Sequence, residues 1–466
     1  LINVLDAFTG GGSAVGLGGY NNDNRYELQN YTSIPHSTHT IRFGGRVRVA
    51  QLSTSSVQNF NGTFTFTGGL APALDAANQP TGVTAQISSI EAYRRTLLFQ
   101  GLGYTPTQIR ALGGEPTQFT LSGGQPLADV TQTDLGIFAQ DDWRLKPNFT
   151  LSMGLRYETQ TNIHDWTDFA PRLGFAWAPG AKGARPGKTV VRGGAGIFYD
   201  RFSESLTLNT IRYNGVNQQQ FTIANPDFYP TVPAIANLVA QALPQTRREM
   251  YKDLRAPYIV QSAIGVERQL PWNSSMAVTY TNSHGLHELD SRNINFPDAN
   301  GVKPYPNLGV LSLYESNGIY NQNQMNVNFN IRASRTLTLF TGYGLNFVKS
   351  DSDGAGSYPV DQNNLGAEYG RAAQDIRHRF FLGGSVATRW GIRLSPFITA
   401  HSGAPFNIVA GRDFNGDLII NDRPAFASAS QVGQPNIVST PWGIFNTKPG
   451  AGDKIITRNL GTGPSF

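Results

Sequence analysis

Apolar and polar residues alternate along much of the chain, most plainly between Thr131 and Glu158. Over 131–145 the odd positions hold Leu135, Ile137, Ala139, Trp143 and Leu145, with Asp141 the exception, against Gln132, Asp134, Gln140, Asp142 and Arg144. Over 149–158, Phe149, Leu151, Met153, Leu155 and Tyr157 alternate with Thr150, Ser152, Gly154, Arg156 and Glu158. A period of two marks a strand with one apolar and one polar face, and Lys146, Pro147 and Asn148 form a short turn. The rhythm returns in Leu173, Phe175 and Trp177; in Val260, Ile264, Val266 and Leu270; and in Met276, Val278 and Tyr280. It returns again in Met325, Val327, Phe329 and Ile331, which alternate with Asn326, Asn328, Asn330 and Arg332. Glycine blurs it over 188–200, 336–349, 376–390 and 391–402, and less regular strands are expected at 24–33, 38–50 and 60–68. A short helix is expected over 88–100 (SSIEAYRRTLLFQ), and the strands total about thirteen.

The connections carry a second rhythm. Short turns fall at 145–148, 179–187, 270–273, 333–335 and 390–391, and long segments at 159–168, 201–257, 285–320, 350–375 and 403–466. A soluble sandwich has no reason to gather its long loops at one end. An outer-membrane barrel does, with short periplasmic turns and long extracellular loops. Strands of about 10–13 residues also match the roughly 9–11 that a tilted strand needs to cross a bilayer. The expected fold is therefore all-β: a transmembrane antiparallel up-and-down β-barrel, at least in part. Residues 1–23 are expected as a flexible glycine-rich segment, 24–402 as barrel strands and loops, and 403–466 as a long extracellular loop.

Composition narrows this further. The 466 residues include no cysteine, which removes disulfides, thiolate metal sites and cysteine nucleophiles. Charged residues make up 15%, well below a soluble domain, while aromatics reach 11% and glycine numbers 51. No apolar run is long enough for a membrane helix. The net charge of +5 is scattered, with no Lys/Arg run of the kind that binds nucleic acid. No signal peptide stands at LINVLDAFTGGG, so the chain is expected to begin inside a longer precursor.

The strings FAQDDWRLKPNFTLSMGLRYE, FAPRLGFAWAPG, KTVVRGGAGIFYDRF and DFNGDLIINDRP resemble the TonB-dependent receptors of the Oar-like kind, and the resemblance covers nearly the whole chain. It implies a 22-stranded barrel, a plug in the lumen, and a TonB box that engages an energy-transducing partner. No plug, TonB box or regulatory-like domain stands within these residues, and the expectation is a barrel piece whose closing strands lie beyond RNLGTGPSF.

Candidate residues follow from the faces. Asp134, Asp142, Arg156, Glu158, Arg192 and Arg332 are expected to line the lumen, as is Arg172; a solvated or mutually paired interior is the simpler reading for each. Trp143, Tyr157, Trp177, Tyr199, Tyr280 and Trp390 fall near strand ends, as an aromatic girdle requires. In DFNGDLIINDRP, Asp413, Asn415, Asp417 and Asn421 stand at calcium-loop positions 1, 3, 5 and 9. Leu418 and Pro424 occupy the positions where Gly and Glu are needed, so an Asx-turn cluster that caps its own backbone competes with Ca²⁺. His284, His287 and Glu288 in HGLHE are a weaker loop metal candidate, and KSDSDGAGS (349–357) reads as a flexible acidic loop. RGGAGIF (192–198) is no dinucleotide fingerprint; its small residues permit close approach of a neighbour. No motif of catalysis is present, and no cofactor beyond the Ca²⁺ candidate is expected.

The expected partners are outer-membrane lipid and lipopolysaccharide, an extracellular ligand, and the TonB-type transducer implied by the resemblance. A structural or adhesive surface protein and a passive porin-like channel remain alternatives, as does a secreted β-sandwich enzyme.

Overall fold

The computed structural model describes all residues except 12–18, 182–186, 241–243, 299, 333–335, 389 and 451. Among the described residues twelve antiparallel strands form one continuous wall: β1 (Tyr20–His36), β2 (His39–Ser55), β3 (Leu127–Lys146), β4 (Phe149–Gln160), β5 (Asp168–Trp177) and β6 (Thr189–Tyr199). The remainder are β7 (Tyr258–Leu270), β8 (Ser274–Asn293), β9 (Leu308–Ile331), β10 (Leu337–Ser350), β11 (His378–Ala387) and β12 (Phe397–His401). Each pairs with its sequence neighbour along the wall, so the topology is up-and-down. Short connections join β1 to β2, β3 to β4 and β7 to β8 at one end, and the long ones gather at the other.

Period-two patterning dictates which face is which. On β3 the even positions Gln132, Asp134 and Gly136 are buried, while Leu135 and Ile137 are exposed. Leu155 on β4 is 49% exposed and Ile264 on β7 is 52% exposed. A sandwich would bury these side chains between two sheets; among the described residues no protein covers them, as suits a face turned to hydrocarbon. Ladder rows show where the apolar band stops. Met276, Phe329 and Thr341 share one outward row, then Val278, Val327 and Tyr343, then Tyr280, Met325 and Leu345. Two residues farther on the row is Asn282, Asn323 and Phe347, and beyond it His284, Asn321 and Lys349.

Several expectations need correction. The stretch 285–320 is not a long loop, because β8 and β9 continue past the apolar band and only 294–307 joins them. His284, His287 and Glu288 therefore lie on β8, with His284 bonded to Asn321 (2.6 Å), and not in a loop. The first 23 residues are strand at Ile2–Val4 and Phe8–Gly10, and β1 starts at Tyr20. The 60–68 strand shortens to Thr63–Phe66 and leaves the wall to pair with Ile2–Val4 and Gln118–Gly124. The 391–402 strand reduces to Arg393–Leu394 and β12, because Pro396 has no amide hydrogen to donate to a ladder. The GGSAVG segment and the 333–335 turn lie in or overlap the undescribed residues.

The long connections and the amino-terminal segment share a core of their own. Val4, Phe64, Phe66, Phe119, Leu121, Phe221, Tyr229 and Leu238 bury one another, with Phe64 and Phe119 rings 4.5 Å apart. Helix α1 (Ser89–Gly101) matches the expected helix. Ser88 caps it by accepting from Glu91 N, and buried Arg95 donates to Pro72 O (2.7 Å) and Leu112 O (2.8 Å). Helix α2 (Pro106–Ala111) follows with a capping box from Thr105 and Gln108. Helix α3 (Glu204–Arg212), in the 200–257 connection, seats Leu208 on Ala128 and Val130 of β3.

Leu155→Arg is expected to lower the free energy of folding into lipid vesicles by about 2–4 kcal/mol, while the inward Asn328→Lys costs under about 1 kcal/mol. Denaturant titration in vesicles checks the pair; equal costs would remove the lipid face.

Candidate functional site

The inner wall has two chemically different halves. On β1 to β6 it is ionic. Arg48 of β2 faces Asp134 of β3 (3.4 Å) and also pairs with Glu204 in the first turn of α3. Asp134 further accepts from Gln132 Nε2 (3.0 Å) and sits 3.7 Å from Arg201. Asp142 pairs with Arg42 and accepts from Gln140 (3.1 Å), and Arg156 pairs with Glu158 along β4 (2.7 Å). Arg192 is exposed on the inner face beside Arg172 and Glu267, around a cavity of about 480 Å³ floored by Gly194, Gly196 and Gly265. Arg332 departs from expectation: it lies past the end of β9, exposed, with its amide on Asn273 O (3.3 Å) at the short-turn end. Its register matched the inner face, but the strand stops one residue short of it.

On β8 to β10 the inner face alongside the apolar band is neutral. Gln322, Gln324, Asn326, Asn328 and Asn330 occupy five successive inward positions of β9. Gln322 donates to Asn346 Oδ1 (2.8 Å), and Gln322, Gln324, Asn326 and Asn328 border a groove of about 520 Å³ that also includes Arg379 and Phe381. The amide alternation was visible in the sequence; its role as one continuous inner strip was not drawn from it, because an uncharged polar position has no distinctive spacing.

At the mouth, the segment 403–458 is clamped to the 351–377 connection and the end of β10. Arg423 makes a two-pronged buried pair with Glu368 (2.6 and 2.8 Å), and Arg458 pairs with Asp353 and donates to Ser350 O (2.6 Å). These partners are more than fifty residues apart in sequence, so no local pattern announces them. Of the four calcium candidates, Asp413, Asn415 and Asp417 come together and their oxygens accept mainly from backbone amides, while the Oδ1 of Asn421 is buried without a partner. Asp413 accepts from the amides of Gly416 (2.7 Å), Asp417 (3.2 Å) and Leu418 (2.8 Å). Asn415 accepts from Asp417 N (3.0 Å), and Asp417 accepts from Ile419 N (2.8 Å) and Gln362 Nε2 (2.7 Å). Asn421 donates to Tyr358 O (3.0 Å), and Leu418 takes the left-handed conformation a metal loop gives to glycine. Among the described residues no group of three or more His, Asp or Glu side chains is arranged around a cation position. Burial pushes the Asp417 and Asp422 carboxyls up to about 6.

The aromatic candidates divide between the two rims. Trp143, stacked on His39 (5.2 Å), Trp177 and the 84% exposed Trp390 lie at the short-turn end, with the unforeseen Trp272. Tyr157 donates to Trp166 O (3.1 Å) toward the long-connection end, and Tyr280 donates to Asn323 Oδ1 (2.6 Å) at the band's upper boundary. Tyr199 instead lies with its ring tilted against Tyr258 (5.2 Å) and packs on the cluster of Ile163, Phe202, Leu254 and Tyr314. Its strand-end position was legible, but the connection that folds over it was not.

A family model described as "Outer membrane beta barrel domain" matches residues 2–165 and 163–461. No curated protein sequence matches the chain. The outer membrane transporter YddB from Escherichia coli is similar in structure, with TM-score 0.51 and 12% identity over 84% of this chain and 43% of YddB. The pyoverdine outer membrane receptor FpvA from Pseudomonas aeruginosa (TM-score 0.44, 10% identity, 84% and 43% covered) is a more distant match. The FrpB iron transporter from Neisseria meningitidis (0.45, 10%, 83% and 45%) is comparable. The chain thus spans less than half the length of these proteins.

Two outcomes follow for the 413–424 loop. Its amides are expected to exchange with solvent equally slowly with calcium and with a chelator; calcium-dependent protection would restore the cation reading. The carboxyls that titrate near pH 6 when folded and about 4 when exposed hold their protons more tightly in the closed loop. Their stabilisation is full below about pH 4 and is lost as pH rises through about 6, so protection, corrected for intrinsic rates, falls from pH 5 to pH 7.5.

Proposed function

The chain belongs to the outer membrane beta barrel domain family of the Gram-negative outer membrane, and from that premise we propose that it forms wall and outer mouth of an Oar-like TonB-dependent receptor. The receptor takes up or handles a large ligand such as an oligosaccharide or peptide. The observation that carries this reading is the mouth. Its connections are not slack loops: they bury seven apolar side chains in one core with Val4 of the amino-terminal segment and send α3 down onto the inner face of β3. A pore that merely admits solutes needs no such structure; a receptor that must hold a ligand above a lumen does. The ionic half of the wall, with Arg172 and Arg192 exposed inward, offers polar contact to a plug or a passing ligand.

The wall also asks for completion. Among the described residues β1 pairs with β2 alone, and the far edge of β12 meets only Phe466, through two backbone hydrogen bonds at His401 (2.7 and 3.0 Å). An unpaired edge in hydrocarbon costs several kcal/mol per orphaned group. In this reading strands from outside these residues close the barrel.

The test uses the full-length protein in detergent and in planar bilayers. The expected result is calorimetric binding of the TonB carboxy-terminal domain together with the absence of steady conductance. Steady conductance without TonB binding would make the protein a passive channel, and neither would leave an adhesive or structural role.

A further inference from the structure

The outward positions of β10 run Leu337, Leu339, Thr341, Tyr343, Leu345 and Phe347, and the next is Lys349. From Leu337 to Phe347 a tilted strand climbs about 25 Å, the height of the apolar band of an outer-membrane barrel. Lys349 therefore stands at the border of the lipid-facing surface, on the side of the long connections. It is exposed, and its ammonium has no hydrogen-bond or ion-pair partner among the described residues. That ammonium lies 6.0 Å from the ring centre of Tyr369, which is held in place by Asn321, the neighbour of Lys349 on β9, donating to its hydroxyl (2.9 Å).

A second cation stands beside it. The guanidinium of Arg377 lies over the exposed ring of Phe347 (4.8 Å), one outward position before Lys349. Successive outward positions on a strand are about 7 Å apart, a span that one phosphorylated headgroup covers. Only the Nε of Arg377 is engaged, by Asp375 (3.4 Å), so both terminal nitrogens are open among the described residues. Asp375 is 1% exposed and is shared with Arg371 (2.7 Å). Glu368 and Asp353 in the same connection are taken up by Arg423 and Arg458. Lys349, Arg371 and Arg377 thus meet one buried carboxylate, an excess of two positive charges at the edge of hydrocarbon. Long basic side chains at a membrane border keep their charged ends among the headgroups, and anionic headgroups attract them.

We propose that this outward patch binds the phosphate of an outer-leaflet lipid headgroup, with Lys349 and Arg377 on the phosphate and Phe347 against the first methylenes of the acyl chains. The patch faces away from the lumen, so its failure would leave the transport reading standing. The test titrates bisphosphorylated lipid A into the full-length protein in dodecyl maltoside and counts bound lipid by native mass spectrometry. One lipid is expected to bind at least about tenfold more tightly than the dephosphorylated form, and equimolar inorganic phosphate should not displace it. Lys349→Gln should weaken binding about fivefold, and Lys349→Gln with Arg377→Gln about twenty-fivefold, with binding of the TonB domain unchanged. If the double variant misfolds, Lys349→Gln and the two lipids still decide. Equal binding of the phosphorylated and dephosphorylated lipids, displacement by inorganic phosphate, or a Lys349→Gln protein that binds as the unmodified one does would overturn the proposal.

Discussion

In a bilayer the backbone has no water to bond, so every amide and carbonyl that enters hydrocarbon must find its partner in the next strand. That constraint sets the rest. It demands long antiparallel ladders, such as the thirteen-residue register between β7 and β8. It makes neighbours along the chain neighbours in the wall, since short hairpins pair strands with the least loop-closure cost. Once the ladder exists, the two-residue pleat has to send apolar side chains out and polar ones in. A slip of one residue would bring Asp134 and Arg156 out to face lipid tails.

The same pleat explains why charge collects inside. Arg42, Arg48, Asp134, Asp142, Arg156 and Glu158 all stand at inward positions, and most of them pair across or along strands. Burying them singly would be prohibitive, whereas side by side they satisfy one another and stay open to a polar lumen. Above the apolar band the constraint lifts. Outward rows turn to Asn and His, β8 and β9 keep pairing in water, and the long connections are free to build aromatic packing and buried ion pairs such as Arg423 with Glu368.

What could be read from the chain follows from how local each feature is. The strands around 131–158 and 258–281 were legible because alternation is a property of consecutive residues, and helix α1 because Ser88 and its following turn announce it. The alternation of short and long connections revealed which end faces outward. The extent of β8 and β9 was hidden, since beyond Tyr280 both faces become polar and the pattern that marks a strand in lipid disappears. Tyr199 was misplaced for a related reason: a strand-end aromatic at a rim and one under a folded loop have the same local sequence. The 413–424 loop showed its acidic spacing, but whether those oxygens meet a cation or amide hydrogens depends on backbone direction.

Hydrocarbon must cover the outward side chains, and spin labels placed singly at residues 324–331 of β9 test this most directly. In lipid vesicles, oxygen collision rates should peak at 325, 327, 329 and 331, while collisions with a polar nickel reagent peak at the even positions between them. Low collision rates for both reagents at the odd positions would mean that protein covers that face, and the lipid-facing wall would have to be abandoned.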